Sequence, residues 1–479
     1  MSRIDLLLQA TAKHEIMRFL WTMASAILSG LLLGAAMPPV GVGWLGWFAL
    51  VPLLAAVQGE RRAVAALAGF LAAAVASLAL DTGLLPVPHQ MEGEANWIFT
   101  GYCLFGILLA VVCYEVSGFK QLRFRQLPYL AALAVCLEAA MVVILPVHLA
   151  LSQYRLPAAM WLASLAGIWG VSYGLWFTAL LLAKLVRSRR GACWPYLAWI
   201  GVVALGIAFL NPPVESPGGP LKIGLIQSQS IDTDELTALN KRAGALGADL
   251  VVWPELSAMV FAPSGDSKEL KELSLKPGQP PFVAGFEDDH VPKPHNVAAL
   301  YVKGAESERY FKRKPFGAEQ MMHEAGTRPV VAAWRVPVGL NICFDSCYPW
   351  VMRDTVLKGA QFIALPTEDP PSKNGIVQAL HSAYMPFRSA ELGVPIYRAD
   401  ITAYSTVTGP DGRVLADLSP GENVIAVALP GTRDTFYRRF GDWFLYLCIA
   451  LAVGTFAGEF ISRRQRKKSN GEANTTGDS

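Results

Sequence analysis

Three short patterns in the second half of the chain each place a chemically active side chain just after an apolar run. Glu255 ends Val-Val-Trp-Pro-Glu, Lys312 lies in Tyr-Phe-Lys-Arg-Lys-Pro-Phe-Gly, and Cys343 ends Val-Gly-Leu-Asn-Ile-Cys. A carboxylate beside apolar walls has a raised pKa and suits general-base work. A lysine near a reacting carbonyl can stabilise an oxyanion. A thiol at a strand-to-helix turn can act as a nucleophile.

Each pattern also has an ordinary structural explanation. A lone glutamate such as Glu255 is commonly solvated in a turn, and the basic residues around Lys312 could form a solvated face. A free cysteine such as Cys343 is often a small buried core residue. The patterns therefore predict a site only if the fold brings all three residues together.

The composition indicates lipid-embedded segments. The chain of 479 residues is 53% hydrophobic and only 16% charged, against about 25% charged in soluble domains. Apolar stretches close to the ~20 residues of a membrane-spanning helix predict about eight spans, with the first open to an alternative reading as a signal peptide. These are residues 17–37, 42–58, 63–85, 97–118, 127–151, 161–186, 195–211 and 440–461.

The distribution of lysine and arginine predicts the orientation of these spans. Basic residues are concentrated at both termini and in the loops after the second, fourth and sixth spans, whereas the opposite short loops hold only Arg155. By the positive-inside rule both termini are cytoplasmic, in a bacterial inner membrane. The predicted order is a cytoplasmic N-terminus (1–16), a seven-span membrane domain (17–211), a periplasmic domain (212–439), an eighth span (440–461) and a basic cytoplasmic tail (462–479).

The predicted outer segment has the alternating pattern of one mixed α/β domain. Predicted strands are Leu221–Gln227, Asp249–Trp253, Pro281–Phe286, Asn296–Val302, Val338–Phe344, Gln361–Leu365, Val394–Arg398 and Asn423–Leu429. Predicted helices are Asp234–Leu246, Trp350–Gly359 and Ile376–Leu392.

Cysteine and histidine spacing predicts neither a metal site nor a bound cofactor. Of the seven cysteines only Cys343 and Cys347 lie in the polar part of the chain, and the zinc-binding spacings are missing from the sequence. Cys347 could meet Cys343 on one helical turn and form a regulatory disulfide, or it could simply pack. The net charge of +3, without a basic stripe, argues against nucleic-acid binding.

In the order glutamate, lysine, cysteine, the outer domain resembles the nitrilase, or carbon–nitrogen hydrolase, superfamily. The flanking segments resemble apolipoprotein N-acyltransferases, including divergent members associated with conjugal transfer. The matching segments are Trp44–Trp47, Val51–Leu54, Leu151–Tyr154, Ala166–Gly170, Tyr384–Pro395 and Phe436–Trp443. This resemblance implies an αββα sandwich next to a multi-span helical membrane domain, in a monomeric bacterial enzyme.

The resemblance also implies a two-step acyl transfer. Glu255 would take the thiol proton, and Cys343 would attack an ester of a membrane phospholipid to form a thioester. Lys312 and the backbone N–H near Phe344 would hold the oxyanion, with support from two carboxylates, Glu319 and Asp345. The N-terminal amine of a diacylglyceryl-cysteine lipoprotein would then accept the acyl chain.

Departures from the family pattern leave alternatives open. Lys312 lies only three residues before Pro315, so Lys314 is a rival for the oxyanion role, and an inserted residue precedes Glu319. Phe344-Asp345 replaces the usual Tyr-Glu, and the segment Arg398–Thr402 replaces an expected Asn and Gly. The acceptor could instead be another envelope protein such as a conjugation pilin. A membrane-tethered amidase and a non-catalytic scaffold are the remaining alternatives.

Overall fold

The structure is a computed structural model. It describes residues 3–89, 96–142, 147–188, 221–260, 265–289, 291–317 and 319–458, together with Ala198 and Gly201.

The described residues 3–187 form six α-helices. They are α1 (Arg3–Ala36), α2 (Val51–Ala56), α3 (Arg62–Asp81), α4 (Asn96–Ser117), α5 (Leu127–Met141) and α6 (Pro157–Arg187). Among the described residues, three helices are long and apolar enough to cross a membrane: Ala12–Ala36 of α1, α3 and α6. They match the first, third and sixth predicted spans.

Two other predicted spans differ in the structure. The segment 42–58 is a 3-10 turn at Gly43–Trp47 followed by the short α2, and in 127–151 the helix ends at Met141 before a 3-10 turn at Leu149–Gln153. The two turns meet closely, since a Cβ on Gly46 would lie 2.4 Å from the hydroxyl of Ser152. Nearly all of the predicted span 195–211 lies outside the described residues, so the count of eight stays a prediction.

The second half of the chain contains two β-sheets. One has the order β14-β1-β2-β4-β5-β6, with β3 on β4 and β7 on β5, and the other has the order β13-β12-β11-β10-β9-β8. Their strands are β1 (Lys222–Ile226), β2 (Leu250–Val252), β3 (Ala258–Val260), β4 (Phe282–Asp288), β5 (His295–Val302), β6 (Ala305–Glu306), β7 (Tyr310–Phe311), β8 (Val330–Ala332), β9 (Val338–Leu340), β10 (Phe362–Pro366), β11 (Ile396–Ala399), β12 (Thr406–Thr408), β13 (Val414–Asp417) and β14 (Val424–Ala428).

The described residues of the second half also form helices. They are α7 (Thr233–Ala245), α8 (Lys268–Leu275), α9 (Glu319–Met322), α10 (Pro349–Leu357), α11 (Ile376–Ser382), α12 (Tyr384–Leu392) and α13 (Phe436–Phe440), followed by an apolar helix α14 (Trp443–Gly458). Helix α7 packs on β1 and β2, whereas α10 packs on β9 and α12 on β12. The two sheets contact each other through β2 and β4 on one side and β10 on the other. This is the predicted αββα layering.

Side-chain alternation along the strands explains the layering. In β2, Leu250 and Val252 belong to the core that the two sheets share, whereas Val251 packs with α7 residues such as Leu236 in a second core. Successive side chains of a strand point to opposite faces. A strand that is apolar on both faces is therefore buried on both, as the unbroken apolar run in the sequence indicates.

Each predicted strand overlaps an observed one, but the prediction around the cysteine and the last predicted helix need correction. The strand predicted for Val338–Phe344 ends at Leu340, and Cys343 begins a 3-10 turn. The helix predicted for Ile376–Leu392 is two helices, α11 and α12, separated at Ala383. Pro386 lies in the first turn of α12, where its missing N–H costs least.

One junction joins the helical half to the α/β domain. Helix α6 is kinked at Gly167, which has φ +70°. The free N–H of Ile168 at this kink donates to the buried Glu391 carboxylate at 2.7 Å. The Trp169 indole and the Tyr437 hydroxyl both donate to Asp442, at 2.7 and 2.5 Å. These bonds fix α6 against α12 and the segment that leads into α14.

Candidate active site

The three side chains singled out in the sequence line one buried cavity of about 320 Å³. Glu255 follows β2, Lys312 follows β7, and Cys343 follows β9 by three residues. The exposed fractions of these residues are 3%, 3% and 6%. The fold therefore brings together residues that are far apart in the sequence, and their burial removes the solvated explanation for Glu255 and Lys312.

The carboxylate of Glu255 is held by three donors. One oxygen accepts hydrogen bonds from the Asn296 amide at 2.6 Å and from Lys312 Nζ at 2.7 Å, and the other accepts from the Glu368 backbone N–H at 2.8 Å. These donors fix the orientation of the carboxylate beside Lys312.

Close packing with β4 fixes the position of Glu255. A Cβ on Gly285 would lie 2.7 Å from the Glu255 Cα and 2.7 Å from the Pro254 carbonyl oxygen. Only glycine leaves room for the glutamate backbone at this point of the strand.

Lys312 connects two carboxylates. Its ammonium group donates to Glu255 at 2.7 Å and to Glu319 at 2.6 Å. Burial opposes the charge on Lys312, but Glu255, Cys343 and Glu319 together hold its pKa well above the usual value. Burial works against the Glu319 charge too, yet Lys312 lowers the pKa of Glu319. A fixed positive charge consequently faces the cavity.

Lys314, the rival of Lys312, has different surroundings. Its ammonium group lies over the rings of Tyr348 and Trp350, 5.0 and 4.9 Å from their centroids. Its backbone N–H donates to Asp345 at 2.9 Å. The structure thus places Lys312, and not Lys314, beside Glu255.

Cys343 occupies a strained turn at the cavity wall. Its φ of +44° lies in the left-handed region, which costs a non-glycine residue about 1–3 kcal/mol. Burial and the Glu255 carboxylate raise the pKa of the thiol well above its usual value, while Lys312 lowers it. The thiol lies 4.0 Å from the Glu368 carbonyl oxygen. Cys343 and Cys347, at the two ends of one 3-10 turn, are both free thiols.

The two residues after Cys343 have separate roles in the fold. The Phe344 ring packs 4.6 Å from the ring of Phe316 and forms part of the cavity wall. Asp345 is fully buried, and its carboxylate accepts from the Tyr310 hydroxyl at 2.6 Å and the Ile342 N–H at 3.0 Å. Burial raises the pKa of Asp345 to about 6, against these donors. Asp345 therefore supports the cysteine turn and does not reach Lys312.

Sequence reasoning missed a second group of polar residues in the cavity. Glu368 and Asp369 follow β10, and His381 lies on α11. The Cys343 sulfur, an Asp369 carboxylate oxygen and a His381 ring nitrogen lie within 4.8 Å of one another. Burial and Glu255 raise the pKa of Glu368 to about 7. The position of Glu368 and Asp369 directly after a buried strand, like that of Glu255, was the available signal.

The rest of the cavity wall is mostly apolar. It includes Ile376, Val377 and Leu380 on α11, Met322 on α9, and Val147 from the helical half. Met321 and Met322 are exposed, by 81% and 62%. A charged centre inside an apolar cavity excludes water and accepts a chain of methylene groups.

Comparison with known proteins first defines the class of the second domain. Residues 222–436 match the family model described as carbon-nitrogen hydrolase. An amidase from the nitrilase superfamily of Nesterenkonia AN1 aligns with 48% of this chain and 97% of its own at 22% identity, with a TM-score of 0.41.

The helical half of the chain matches a second family model, and two relatives match nearly the whole chain. Residues 29–181 match the model described as apolipoprotein N-acyltransferase N-terminal domain. The apolipoprotein N-acyltransferase of Geobacter metallireducens is 26% identical, over 89% of this chain and 93% of the relative. That of Thermotoga maritima is 24% identical, over 95% and 96%. The chain is thus similar to apolipoprotein N-acyltransferases over most of its length, and it matches both family models, one in each half.

Proposed function

We propose that this protein is a membrane enzyme that moves a fatty acyl chain from a phospholipid to the N-terminal amine of a lipoprotein, through a thioester on Cys343. The observation that carries the proposal is the convergence of Glu255, Lys312 and Cys343 on one buried, apolar cavity. Similarity to apolipoprotein N-acyltransferases over most of the chain supports the acceptor, and the apolar cavity wall supports a lipid donor.

In the first step the Cys343 thiol gives its proton to Glu255, and the sulfur attacks the carbonyl carbon of a phospholipid ester. The charge that develops on the carbonyl oxygen is stabilised by Lys312 and by the backbone N–H near Phe344. The C–O bond then breaks, and Glu255 returns the proton to the departing lysophospholipid oxygen. The acyl group is left on the sulfur.

In the second step the lipoprotein amine attacks the thioester and loses a proton to Glu255. The C–S bond breaks, and the proton returns to the sulfur of Cys343, which regenerates the thiol. A thioester divides one difficult transfer into two easier ones. Glu319 supports both steps because it helps to hold Lys312 beside Glu255.

The cavity wall would decide which nucleophile reaches the thioester. Apolar side chains from α11, including Ile376 and Leu380, surround the centre. Water that entered would hydrolyse the thioester and turn the enzyme into a lipase. The same surroundings argue against an amidase of small, soluble amides, because such a substrate needs no apolar chamber.

The membrane arrangement is part of the proposal. We place residues 17–211 and 440–461 in the bacterial inner membrane and residues 212–439 in the periplasm, with both termini cytoplasmic. The long apolar helices α1, α3 and α6 and the apolar α14 support this placement. The lysine and arginine distribution supports the orientation. The membrane would present both lipid substrates to the cavity from the side.

The test is the mass of the purified protein in phospholipid-containing detergent. We expect an acyl adduct on the peptide that contains Cys343, removed by hydroxylamine, and no adduct in Cys343→Ala. Cys347→Ala is the matched control, because this buried thiol lies four residues away, and it should keep the adduct. Transfer of labelled acyl chain from phospholipid to protein in Cys343→Ala would exclude the mechanism.

A second experiment tests the acceptor. The gene should rescue a strain depleted of lipoprotein N-acyltransferase. Failure to rescue with the thioester intact would point to another envelope acceptor, such as a conjugation pilin. Release of ammonia from amides without any lipid donor would point to an amidase.

A further inference from the structure

A chain of buried hydrogen bonds leads to the backbone of Cys343. The Ser346 hydroxyl lies 2.8 Å from the Cys343 carbonyl oxygen and 2.8 Å from Nε2 of His381. On the other side of the imidazole, Nδ1 lies 2.7 Å from the Asp369 carboxylate. The histidine thus connects a buried carboxylate to the residue that carries the proposed nucleophile.

These contacts determine where the protons are. The Cys343 carbonyl can only accept, so the single hydroxyl proton of Ser346 points to it. The hydroxyl oxygen must then accept a proton from Nε2 of His381, and the ionised Asp369 must accept one from Nδ1. In this arrangement both ring nitrogens donate, which is the hydrogen-bonding pattern of an imidazolium. Although Cys, His and Asp are all metal-binding types, both nitrogens of this ring are already engaged.

The far end of the chain keeps Asp369 ionised. The guanidinium of Arg398, on β11, donates to the carboxylates of both Asp369 and Asp400. Burial opposes the charge on Asp369, but His381 and Arg398 hold its pKa below the usual value. Burial raises the pKa of Asp400 to about 8, so Asp400 carries the weaker negative charge. The carboxylate of Asp369 thus has hydrogen-bond contacts with both Arg398 and His381.

Two properties of Cys343 depend on this chain. Its left-handed backbone is strained and needs support from its surroundings, and the Ser346 bond fixes its carbonyl oxygen. Its sulfur lies within 4.8 Å of the His381 ring, close enough for a positive charge to favour the thiolate.

We propose that His381 is a positioning residue for Cys343, held as an imidazolium by Asp369, that fixes the nucleophile through Ser346 and stabilises its thiolate. The proposal rests on the proposed function of Cys343 as the nucleophile. It goes beyond the three residues Glu255, Lys312 and Cys343, because it adds a second positive charge to that of Lys312.

Several other titratable groups surround the histidine and enter its electrostatics. Those that line the cavity or the buried chain are Glu255, Lys312, Glu319, His323, Cys343, Cys347, Glu368, Asp369, Tyr384, Arg398 and Asp400. Asp369 is the carboxylate in direct contact with the ring.

The experiment measures the pH dependence of Cys343 alkylation by iodoacetamide, followed by mass spectrometry of its peptide in the full-length protein in detergent. His381→Gln removes the charge and cannot donate at both ends of the ring. We expect its alkylation midpoint to rise by at least ~1 pH unit, with acyl-enzyme formation from phospholipid slowed by about tenfold or more. His14→Gln, an exposed histidine on α1, is the matched control and should change neither value.

Ser346→Ala separates the two parts of the proposal. It removes the link to the Cys343 carbonyl but keeps the Asp369–His381 pair, so the midpoint should move by less than ~0.5 unit while acyl-enzyme formation slows. Asp369→Asn removes the anion that keeps the ring charged. The Asp369 carboxylate itself raises the pKa of Cys343, so the loss of this anion and the loss of the ring charge should largely cancel and shift the midpoint less than His381→Gln does. Acyl-enzyme formation should still slow, and this rate is the readout if His381→Gln does not fold.

The outcomes are distinct. An unchanged midpoint and an unchanged rate in folded His381→Gln and Asp369→Asn would overturn the proposal. Alkylation needs no lipid or lipoprotein, so the midpoint is read independently of the proposed function. A raised midpoint in a protein that forms no acyl-enzyme even as wild type would support the charge role and contradict the acyltransferase.

Discussion

Lys312 and Lys314 are two residues apart in the sequence and have opposite surroundings. The ammonium of Lys312 is buried between Glu255 and Glu319, whereas that of Lys314 lies over Tyr348 and Trp350. In an extended strand, side chains two residues apart lie on the same face, but here the chain bends at Arg313 and Lys314 directly after β7. The bend separates the two ammonium groups, so only Lys312 lies beside Glu255.

We therefore expect Lys312→Met and Lys314→Met to differ sharply. Loss of Lys312 should slow formation of the acyl-enzyme by about 10²- to 10³-fold, the usual cost of removing one oxyanion donor. Loss of Lys314 should change the rate by less than about threefold, since its interaction with the two rings is worth only ~1 kcal/mol. Single-turnover mass measurements read both rates. Equal losses in the two variants would contradict the assignment.

Glu319 should make the stability of the protein depend on acid pH. Lys312 holds the pKa of Glu319 below that of the unfolded chain, which is about 4.3. A lowered folded-state pKa stabilises the protein above the unfolded value, and this contribution is lost as the pH falls through the folded value. Between about pH 6 and pH 3 we expect the wild type to lose about 1 kcal/mol more than Glu319→Gln. Thermal unfolding in detergent at each pH measures the difference, and parallel curves for the two proteins would argue against it.

For the individual residues of the site, the sequence indicated three members but not all of them. Glu255, Lys312 and Cys343 each follow an apolar run, and the structure brings them together. Asp369 and His381 were missed. His381 contacts the cysteine turn through the Ser346 hydroxyl. No local pattern in the sequence predicts this contact, because the residues come together only in the fold.

The strands position the site because their ends meet at one edge. Strands β1, β2 and β4 run parallel to one another within the first sheet, and β9, β10 and β11 do so within the second. Residues that follow parallel strands collect at the same edge. Glu255 after β2, Cys343 after β9 and Glu368 after β10 are therefore neighbours.

Gly285, on β4, is the element-scale position that packs against the backbone of Glu255. A Cβ there would lie 2.7 Å from the Cα of Glu255. Gly285→Ala should cost about 1–3 kcal/mol of stability through overpacking, and it should displace Glu255 and slow acylation. Gly431→Ala is the control, because nothing lies within 4 Å of a Cβ at Gly431. Denaturant unfolding and single-turnover acylation of both variants give the comparison. Wild-type values in Gly285→Ala would show that β4 shifts to accommodate the added Cβ without displacing Glu255, and would contradict the prediction.

The apolar pattern of the sequence predicted the presence of the strands better than it predicted where they begin and end. The apolar run before Cys343 continues to Phe344, which reads as one strand, but β9 ends at Leu340. The Asp345 carboxylate accepts the N–H of Ile342 and so replaces a ladder bond with a side-chain bond. Short strands such as β6 and β7 were missed because two or three residues carry too little pattern to detect.

The junction between the helical half and the α/β domain depends on one glycine. Gly167 kinks α6 and frees the N–H of Ile168 for Glu391. A Cβ at Gly167 would lie 2.6 Å from the Tyr437 ring. Burial raises the pKa of Glu391 to about 7, with Arg388 and the Ile168 N–H acting in the opposite direction. The two halves are therefore joined by specific hydrogen bonds and not only by apolar contact.

Gly167→Ala should loosen this junction. Its φ of +70° and the contact with Tyr437 should together cost about 2–3 kcal/mol. Gly174→Ala, in the same helix with nothing within 4 Å of its Cβ, is the matched control. Limited proteolysis and thermal unfolding should show faster cleavage and a lower midpoint for Gly167→Ala alone. Equal behaviour of the two variants would mean that the kink does not hold the halves together.

The sequence by itself determined the class of the molecule. Local patterns can be read directly from an amino-acid sequence. The composition, the apolar runs, the strand periodicity and the order of Glu255, Lys312 and Cys343 are all patterns of this kind. The tertiary structure decided what depends on distance and direction. It placed Lys312 and not Lys314 beside Glu255, directed Asp345 to the cysteine turn, and joined His381 to Cys343 through Ser346. These relations arise where strand ends and helices from separate parts of the chain meet, so sequence spacing does not encode them directly.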